Sequence, residues 1–213
     1  MRALAVPVKP LQRSKTRLSP ALTPTERATL TLAMLEDVLH ACLDQPGWET
    51  WVVSGSREAL EVARRIGARA MPEDGSSLLE AVRQAEAELP HAGDELAIVL
   101  ADLPLLTPGA LSEALSLPGT VIAAPAESDG GTNLLVRRPP DAIKARFGRS
   151  SYRRHRAGAY RQGLTFQEAR SPELEFDLDR PADLLTLLSM DLGNRTTSAC
   201  RSMGLPERLR VGA

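Results

Sequence analysis

Short apolar runs of strand length alternate along the chain with longer stretches whose apolar residues recur every three or four positions. Residues 2–8 (RALAVPV), 49–54 (ETWVVS), 68–71, 96–101 (LAIVLA), 120–124 (TVIAA), 132–136 and 164–169 are the strand-like runs. Thr23-Pro-Thr-Glu26 combines an N-cap, a proline at the first helical position and a capping-box glutamate, so a helix starts there and runs to about Leu43. Leu30, Met34, Val38 and Cys42 form its buried stripe. Ser56 caps a helix through Ile66, and Gly67 stops it where a glycine is commonly needed. Further helices are expected over 78–89, from Thr107-Pro108 to about Ser116, from Ser151 towards Gly163 and from Pro181 to Met190, with a turn at 72–77. Alternation of strand and helix means βαβ units and a parallel sheet, an α/β fold. One domain is expected over 1–190; periodicity fades over 191–213, which reads as a mobile C-terminal tail.

The run over 96–101 is apolar throughout and ends in Asp102, with Pro104 expected to close the strand. Ligands of open α/β sheets bind beyond the carboxyl ends of the strands, which is where this carboxylate falls. The loop after the first strand carries Lys9, Arg13, Lys15 and Arg17 within nine residues. Such a cluster is either a solvated basic loop or, given its place after strand one, a counter-charge for a triphosphate. Gly130-Gly131-Thr132 either brings backbone amides close to an anion or is a plain loop before a strand. Gly148 precedes Ser151 at a helix start, where outward amides welcome phosphate or carboxylate; Ser151 also reads simply as the cap. In an extended segment Asp177 and Asp179 share a face while Phe176 and Leu178 turn to the core. Asp179 alternatively caps the helix that follows, and Asp183 reads as a complement to that helix's dipole.

Composition narrows the partners. The 213 residues carry 26 Lys and Arg against 27 Asp and Glu, a balance that disfavours nucleic acid or an anionic membrane as a general partner. Cys42 and Cys200 lack ligand spacing and fit a reduced, cytoplasmic setting, and neither a signal sequence nor a transmembrane run is apparent. There is no Walker loop and no G-x-G-x-x-G fingerprint. Asp102, Asp177 and Asp179 with a basic loop at one sheet edge suit a hard cation such as Mg2+ bridging carboxylates to substrate phosphates, hence phosphoryl or nucleotidyl transfer.

The segments VPVKPLQRSKTRLSP, MLEDVL, ADLPLLT, GGTNLL, FGRSSYRRH and DLDRPADL, in this order, resemble the guanylyltransferases that make the diphospho intermediate of coenzyme F-420. The resemblance covers residues 1–190 and implies a single-domain Rossmann-like nucleotidyltransferase of the glycosyltransferase-A type with a mixed, mainly parallel sheet. It implies that GTP reacts with phosphoenolpyruvate, or alternatively 2-phospho-L-lactate, releasing pyrophosphate. Thr132, Gly148 and Ser151 would hold the phosphorylated acid, and Lys9, Lys15 and Arg17 would face the GTP phosphates. Asp102, Asp177 and Asp179 would hold Mg2+, with Asp102 and Lys15 catalytic. No general base is required, because an acid phosphate is already ionised near neutral pH, and His155 reads as a packing or hydrogen-bonding residue. The resemblance leaves room for a homodimer and for hand-over of the product to the next transferase. The rivals are a nucleotidyltransferase acting on molybdopterin or a sugar phosphate, and a non-catalytic nucleotide-binding regulator on the same fold.

Overall fold

The structure is a computed structural model and describes residues 2–74, 77–89, 95–190 and 192–211. Its strands are β1 (Arg2–Val8), β2 (Glu49–Ser54), β3 (Arg69–Pro72), β4 (Glu95–Val99), β5 (Val121–Pro125), β6 (Thr132–Arg137) and β7 (Phe166–Glu168). The helices are α1 (Pro24–Leu43), α2 (Arg57–Ile66), α3 (Leu78–Glu88), α4 (Pro108–Ser116), α5 (Ser151–Arg161), α6 (Pro172–Glu175), α7 (Pro181–Ser189), α8 (Arg195–Ser202) and α9 (Leu205–Val211). Among the described residues the strands form one seven-stranded sheet in the order β3-β2-β1-β4-β6-β5-β7. β6 runs antiparallel to β4 and β5; every other pairing is parallel.

Period-two burial on both faces makes this a three-layer fold. Leu4, Val6, Val52, Ala97 and Val99 pack with α1, α2 and α4 on one face. Ala3, Ala5, Val53, Leu96 and Ile98 pack with α3 and α5 on the other. The capping box of Thr23 and Glu26 is formed, and Gly67 ends α2 at φ 105°. Leu30, Met34, Val38 and Cys42 are all buried. No helix of the described residues is long and apolar enough to cross a membrane.

The reversed β6 positions the site. Because it runs against its neighbours, its first residue, Thr132, emerges at the edge where β1 and β4 end. Several strand boundaries differ from the sequence-based expectation. β4 stops at Val99; Leu100 adds one more bond, its N–H donating to Asn133 O at 2.9 Å, and Asp102 lies in the turn beyond. Pro104 therefore does not end the strand. β3 is shifted by one residue, β7 is shorter than 164–169, and Gly75 and Ser76 of the expected turn at 72–77 lie outside the described residues.

The expectation of a tail after Met190 is also corrected, because α8 and α9 fold back onto the domain. Cys200 and Leu205 are buried with Leu30 and Met34 of α1 and Leu184 and Leu187 of α7. Asn194 caps α8, its side-chain oxygen accepting from Thr197 N. Asp37 of α1 accepts from the Arg195 and Thr196 amides, each at 2.9 Å.

Candidate active site

A crevice of about 400 Å³ opens at the edge shared by the ends of β1 and β4 and the start of β6. Its walls include Lys9, Arg13, Lys15 and Arg17 from the loop after β1, Asp102 after β4, Thr132 and Asn133 of β6, Gly148 and Arg149 before α5, and Asp177 and Asp179. The acidic pair is sewn to the Asp102 turn by a backbone bond from Leu178 N to Asp102 O at 3.1 Å. Leu178 between them is buried, so both carboxylates turn to the crevice side. Asp183 accepts from the Asp179 and Arg180 amides at 2.9 and 2.7 Å, so Asp183 does the capping and leaves Asp179 free for the crevice.

Lys15 stands at the centre. Two short 3-10 turns, Leu11–Arg13 and Thr16–Leu18, flank Ser14 and Lys15, and Lys15 takes a left-handed backbone with φ 50°. Ser14 is anchored to Thr31 of α1 by a 3.0 Å hydroxyl contact. The Lys15 ammonium then donates to Asp102 Oδ2 at 2.6 Å and to Asp179 Oδ1 at 2.7 Å, with its side chain only 7% exposed. Burial pulls its pKa down, but the two carboxylates outweigh this and the net shift is upward. Burial likewise raises Asp179, and Lys15 and Arg17 reverse the sign, leaving it below the usual carboxylate range. Burial, then the Asp102 charge, push Asp177 up to about 6, with one bond received from Ser128 Oγ at 2.9 Å acting against them. At Asp177 the Lys15 charge also acts downward but is the weakest influence.

Asp102 Oδ1 and Asp177 Oδ1 are buried with no hydrogen-bond partner among the described residues. Buried carboxylate oxygens without donors, on groups that repel each other, fit a cation. Among the described residues no three Asp, Glu, His or Cys side chains stand ready spaced around a metal point. The cation now between Asp102 and Asp179 is Lys15, so the donor chemistry suits a metal while the arrangement is that of the lysine-bridged site.

The opposite wall is neutral. Thr132 Oγ1 lies 2.9 Å from Ser151 Oγ and 3.0 Å from His155 Nδ1, and all three residues are buried. His155 Nε2 accepts from the Arg146 amide at 2.9 Å, and its ring meets Phe147 edge-on. Burial, then the charges of Arg137, Arg154 and Arg146, push the His155 pKa down to about 3.

The glycine pair turns out to serve the fold. Gly131 N donates to Asp129 Oδ1 at 2.7 Å and Gly130 N to Ala126 O at 3.1 Å, so neither amide is offered to an anion. A Cβ at Gly131 would stand 2.6 Å from that Asp129 oxygen, so any side chain there would have to displace the carboxylate. At the start of α5 the amides of Ser150, Ser151 and Tyr152 donate to Asp129 O, Gly148 O and Gly130 O. Ser150, not Ser151, is the N-cap, and it makes no side-chain cap bond. Ser151 is fully buried and meets the crevice only through Thr132, whereas Gly148 lines it directly at φ 104°. Arg149, Asp129 and Ser128 were not anticipated. Arg149 opens a run, residues 149–156, in which nearly every residue is charged or polar, and Asp129 and Ser128 carry no spacing signal at all.

Residues 1–210 match the family model described as guanylyl transferase CofC like. A phosphoenolpyruvate guanylyltransferase of Sphaerobacter thermophilus is 43% identical over 183 residues, covering 84% of this chain and 88% of the relative. A 2-phospho-L-lactate guanylyltransferase of Halomicrobium mukohataei is 37% identical over 176 residues, covering 82% and 79%. A crystal structure from Desulfovibrio desulfuricans G20, named for nucleotide-diphospho-sugar transfer, superposes with a TM-score of 0.76 at 20% identity, covering 97% of each chain, and shows the shared fold.

Proposed function

This chain belongs to the CofC-like guanylyl transferase family, and from that premise we propose that it joins the GMP part of GTP to phosphoenolpyruvate and releases pyrophosphate. A phosphate oxygen of the acid attacks the α-phosphorus of GTP. The bond from that phosphorus to the bridging oxygen of the β-phosphate breaks, and the electron pair leaves with pyrophosphate. The acid phosphate enters ionised, so no residue has to remove a proton, in keeping with a His155 that is buried and neutral.

The observation that carries the reading is the pairing of a three-carboxylate, lysine-bridged wall with a neutral wall of hydroxyl donors across one crevice. On this reading Lys9, Lys15 and Arg17 face the GTP phosphates, with Lys15 and Asp102 nearest the reacting centre. Thr132 and Gly148 hold the acid, with Ser151 behind Thr132. Asp102, Asp177 and Asp179 would hold Mg2+, which when bound neutralises phosphate charge and the developing charge on pyrophosphate. Fixed positive groups already aimed at that leaving charge are what such a transfer requires of the protein.

Phosphoenolpyruvate is preferred over 2-phospho-L-lactate because the relative of 43% identity carries the former name. The two acids differ by a planar against a tetrahedral carbon, a difference worth about 1 to 3 kcal/mol in a small pocket. Incubating the chain with GTP, Mg2+ and each acid and following pyrophosphate tests this. Release with phosphoenolpyruvate well above that with 2-phospho-L-lactate is expected, and no release with either acid would overturn the reading.

A further inference from the structure

We propose that His155 is a positioning residue that fixes the Thr132 hydroxyl as a hydrogen-bond donor to the crevice, so that this wall accepts only an anionic or otherwise lone-pair-bearing oxygen. The inference rests on the reading that the phosphorylated acid binds against Thr132, and it assigns a task to a histidine that the reaction itself does not use.

The polarity follows from counting hydrogens. A backbone amide can only donate, so the Arg146 N–H at 2.9 Å makes His155 Nε2 an acceptor. A neutral imidazole has one N–H, which must then sit on Nδ1 and donate to Thr132 Oγ1 at 3.0 Å. The depressed pKa of His155 is consistent with this single-proton state. Ser151 Oγ is buried, and among the described residues its hydrogen-bond partner is Thr132 Oγ1 at 2.9 Å. Were Thr132 to donate to Ser151, the Ser151 hydrogen would be left buried without an acceptor, a costly arrangement. The consistent order runs from Arg146 N–H to His155, from His155 to Thr132, and from Ser151 to Thr132. Thr132 Oγ1 then accepts twice, and its own hydrogen is left for the crevice that it lines.

His155 also ties together the two segments that hold the acid. Nδ1 reaches the first residue of β6, and Nε2 holds the loop that carries Gly148. These two roles can be separated by substitution. The amide of asparagine falls near the position of Nδ1, so His155→Asn keeps a donor for Thr132 and gives up the acceptor for Arg146. The longer His155→Gln places its amide oxygen near Nε2, keeping the Arg146 bond and losing the donor to Thr132. A residue that mattered only for holding the loop would be rescued by glutamine, and one that polarises Thr132 by asparagine.

The experiment measures phosphoenolpyruvate and GTP affinity by titration calorimetry of the full chain with Mg2+, together with the His155 tautomer by ¹⁵N NMR of the wild type. The expected result is phosphoenolpyruvate affinity within about threefold of wild type for His155→Asn and at least tenfold weaker for His155→Gln, with GTP affinity unchanged in both. The NMR is expected to show Nδ1 protonated and Nε2 bare between pH 5 and 8. An Nε2–H tautomer or an imidazolium in that range would overturn the inference and leave the reading of the site intact. So would a glutamine variant that binds phosphoenolpyruvate as well as asparagine does. Absence of any phosphoenolpyruvate binding by the wild type would overturn the reading on which the inference rests, and the inference with it.

Discussion

The two walls of the crevice are built on opposite principles. The wall formed by the β1 loop, the Asp102 turn and the Asp177–Asp179 segment is charged: of its three carboxylates, Asp102 and Asp179 share one buried ammonium, and among the described residues one oxygen each of Asp102 and Asp177 lacks a donor. The wall formed by Thr132, Ser151 and His155 is uncharged, and its side chains hold one another in place by their own hydrogen bonds. The first wall gains from ligands by having its charge balanced. The second is organised in advance and loses little when a ligand binds. A reaction that must gather a polyanion and a small acid divides naturally between surfaces of these two kinds.

The sharpest way to break the contrast is to neutralise the charged wall. Asp102→Asn is expected to lower turnover by on the order of 10³-fold, read as pyrophosphate release, since on the proposed reading it removes a group placed against the transferring phosphates. Its melting temperature should change little. The bond from Lys15 is weakened, but Asp177, held up to about 6 first by burial and then by the Asp102 charge, is relieved. Normal turnover would sink the charged wall as the reacting side. Lys15→Met comes next, with turnover down on the order of 10²-fold. Metal-free protein should also lose about 2 kcal/mol in denaturant melts, because the Asp102 and Asp179 carboxylates lose their common partner while still partly solvated. Mg2+ should restore part of that loss in the variant. If it restores none, the carboxylates do not hold the ion.

The walls also differ in how far the sequence revealed them. Asp102, Asp177, Asp179 and Lys15 stood out because each is a charge at the end of an apolar run or in a dense loop, and such discontinuities survive in one dimension. Their pairing did not, since it depends on Lys15 taking φ 50°, a backbone state that no spacing announces for a lysine. The neutral wall was nearly invisible. Thr132 followed a glycine pair and Gly148 and Ser151 marked a helix start, signals that a plain loop or a cap explains as well, so their assignment to the acid came from resemblance. His155 read only as a packing or hydrogen-bonding residue because its task needs a backbone amide nine positions away. Apolar periodicity marked most strands to within a residue or two, yet it carries no direction, and the reversal of β6 that brings Thr132 to the crevice was beyond it. Residues 191–213 were read as a tail because α8 and α9 bury few apolar residues, and α8 settles its start with Asn194 and Asp37 instead.

The neutral wall predicts an acid-sensitive fold. An unfolded histidine titrates near 6.5 and His155 at about 3, so between those values the unfolded chain binds the extra proton. Stability from this group is complete above pH 6.5 and is lost as pH falls towards 3, about 2 kcal/mol of it between pH 7 and 5. Denaturant melts at the two pH values measure the difference, and His155→Asn should reduce it by the same amount. A variant with the wild-type slope would mean that other groups govern acid unfolding.

The smallest expected effect asks whether the contrast between the walls is local. Asp37 on α1 accepts from Arg195 N, Thr196 N and Thr196 Oγ1, joining the chain's last helices to the helix whose Thr31 anchors Ser14 beside Lys15. Asp37→Asn keeps one acceptor oxygen and loses the charge, so it should cost about 1 kcal/mol in denaturant melts. Thr31 and Asp37 are separate turns of α1, and α1 is fixed along its length by Leu30, Met34, Leu35, Val38 and Leu39, all buried. Loosening the far end should therefore leave Thr31 in place and the rate of pyrophosphate release within about twofold of wild type, as expected for a substitution distant from the chemistry. A tenfold fall in rate with the same small loss of stability would mean that α8 sets the position of Lys15 through α1, and the charged wall would then extend to the chain's last helices.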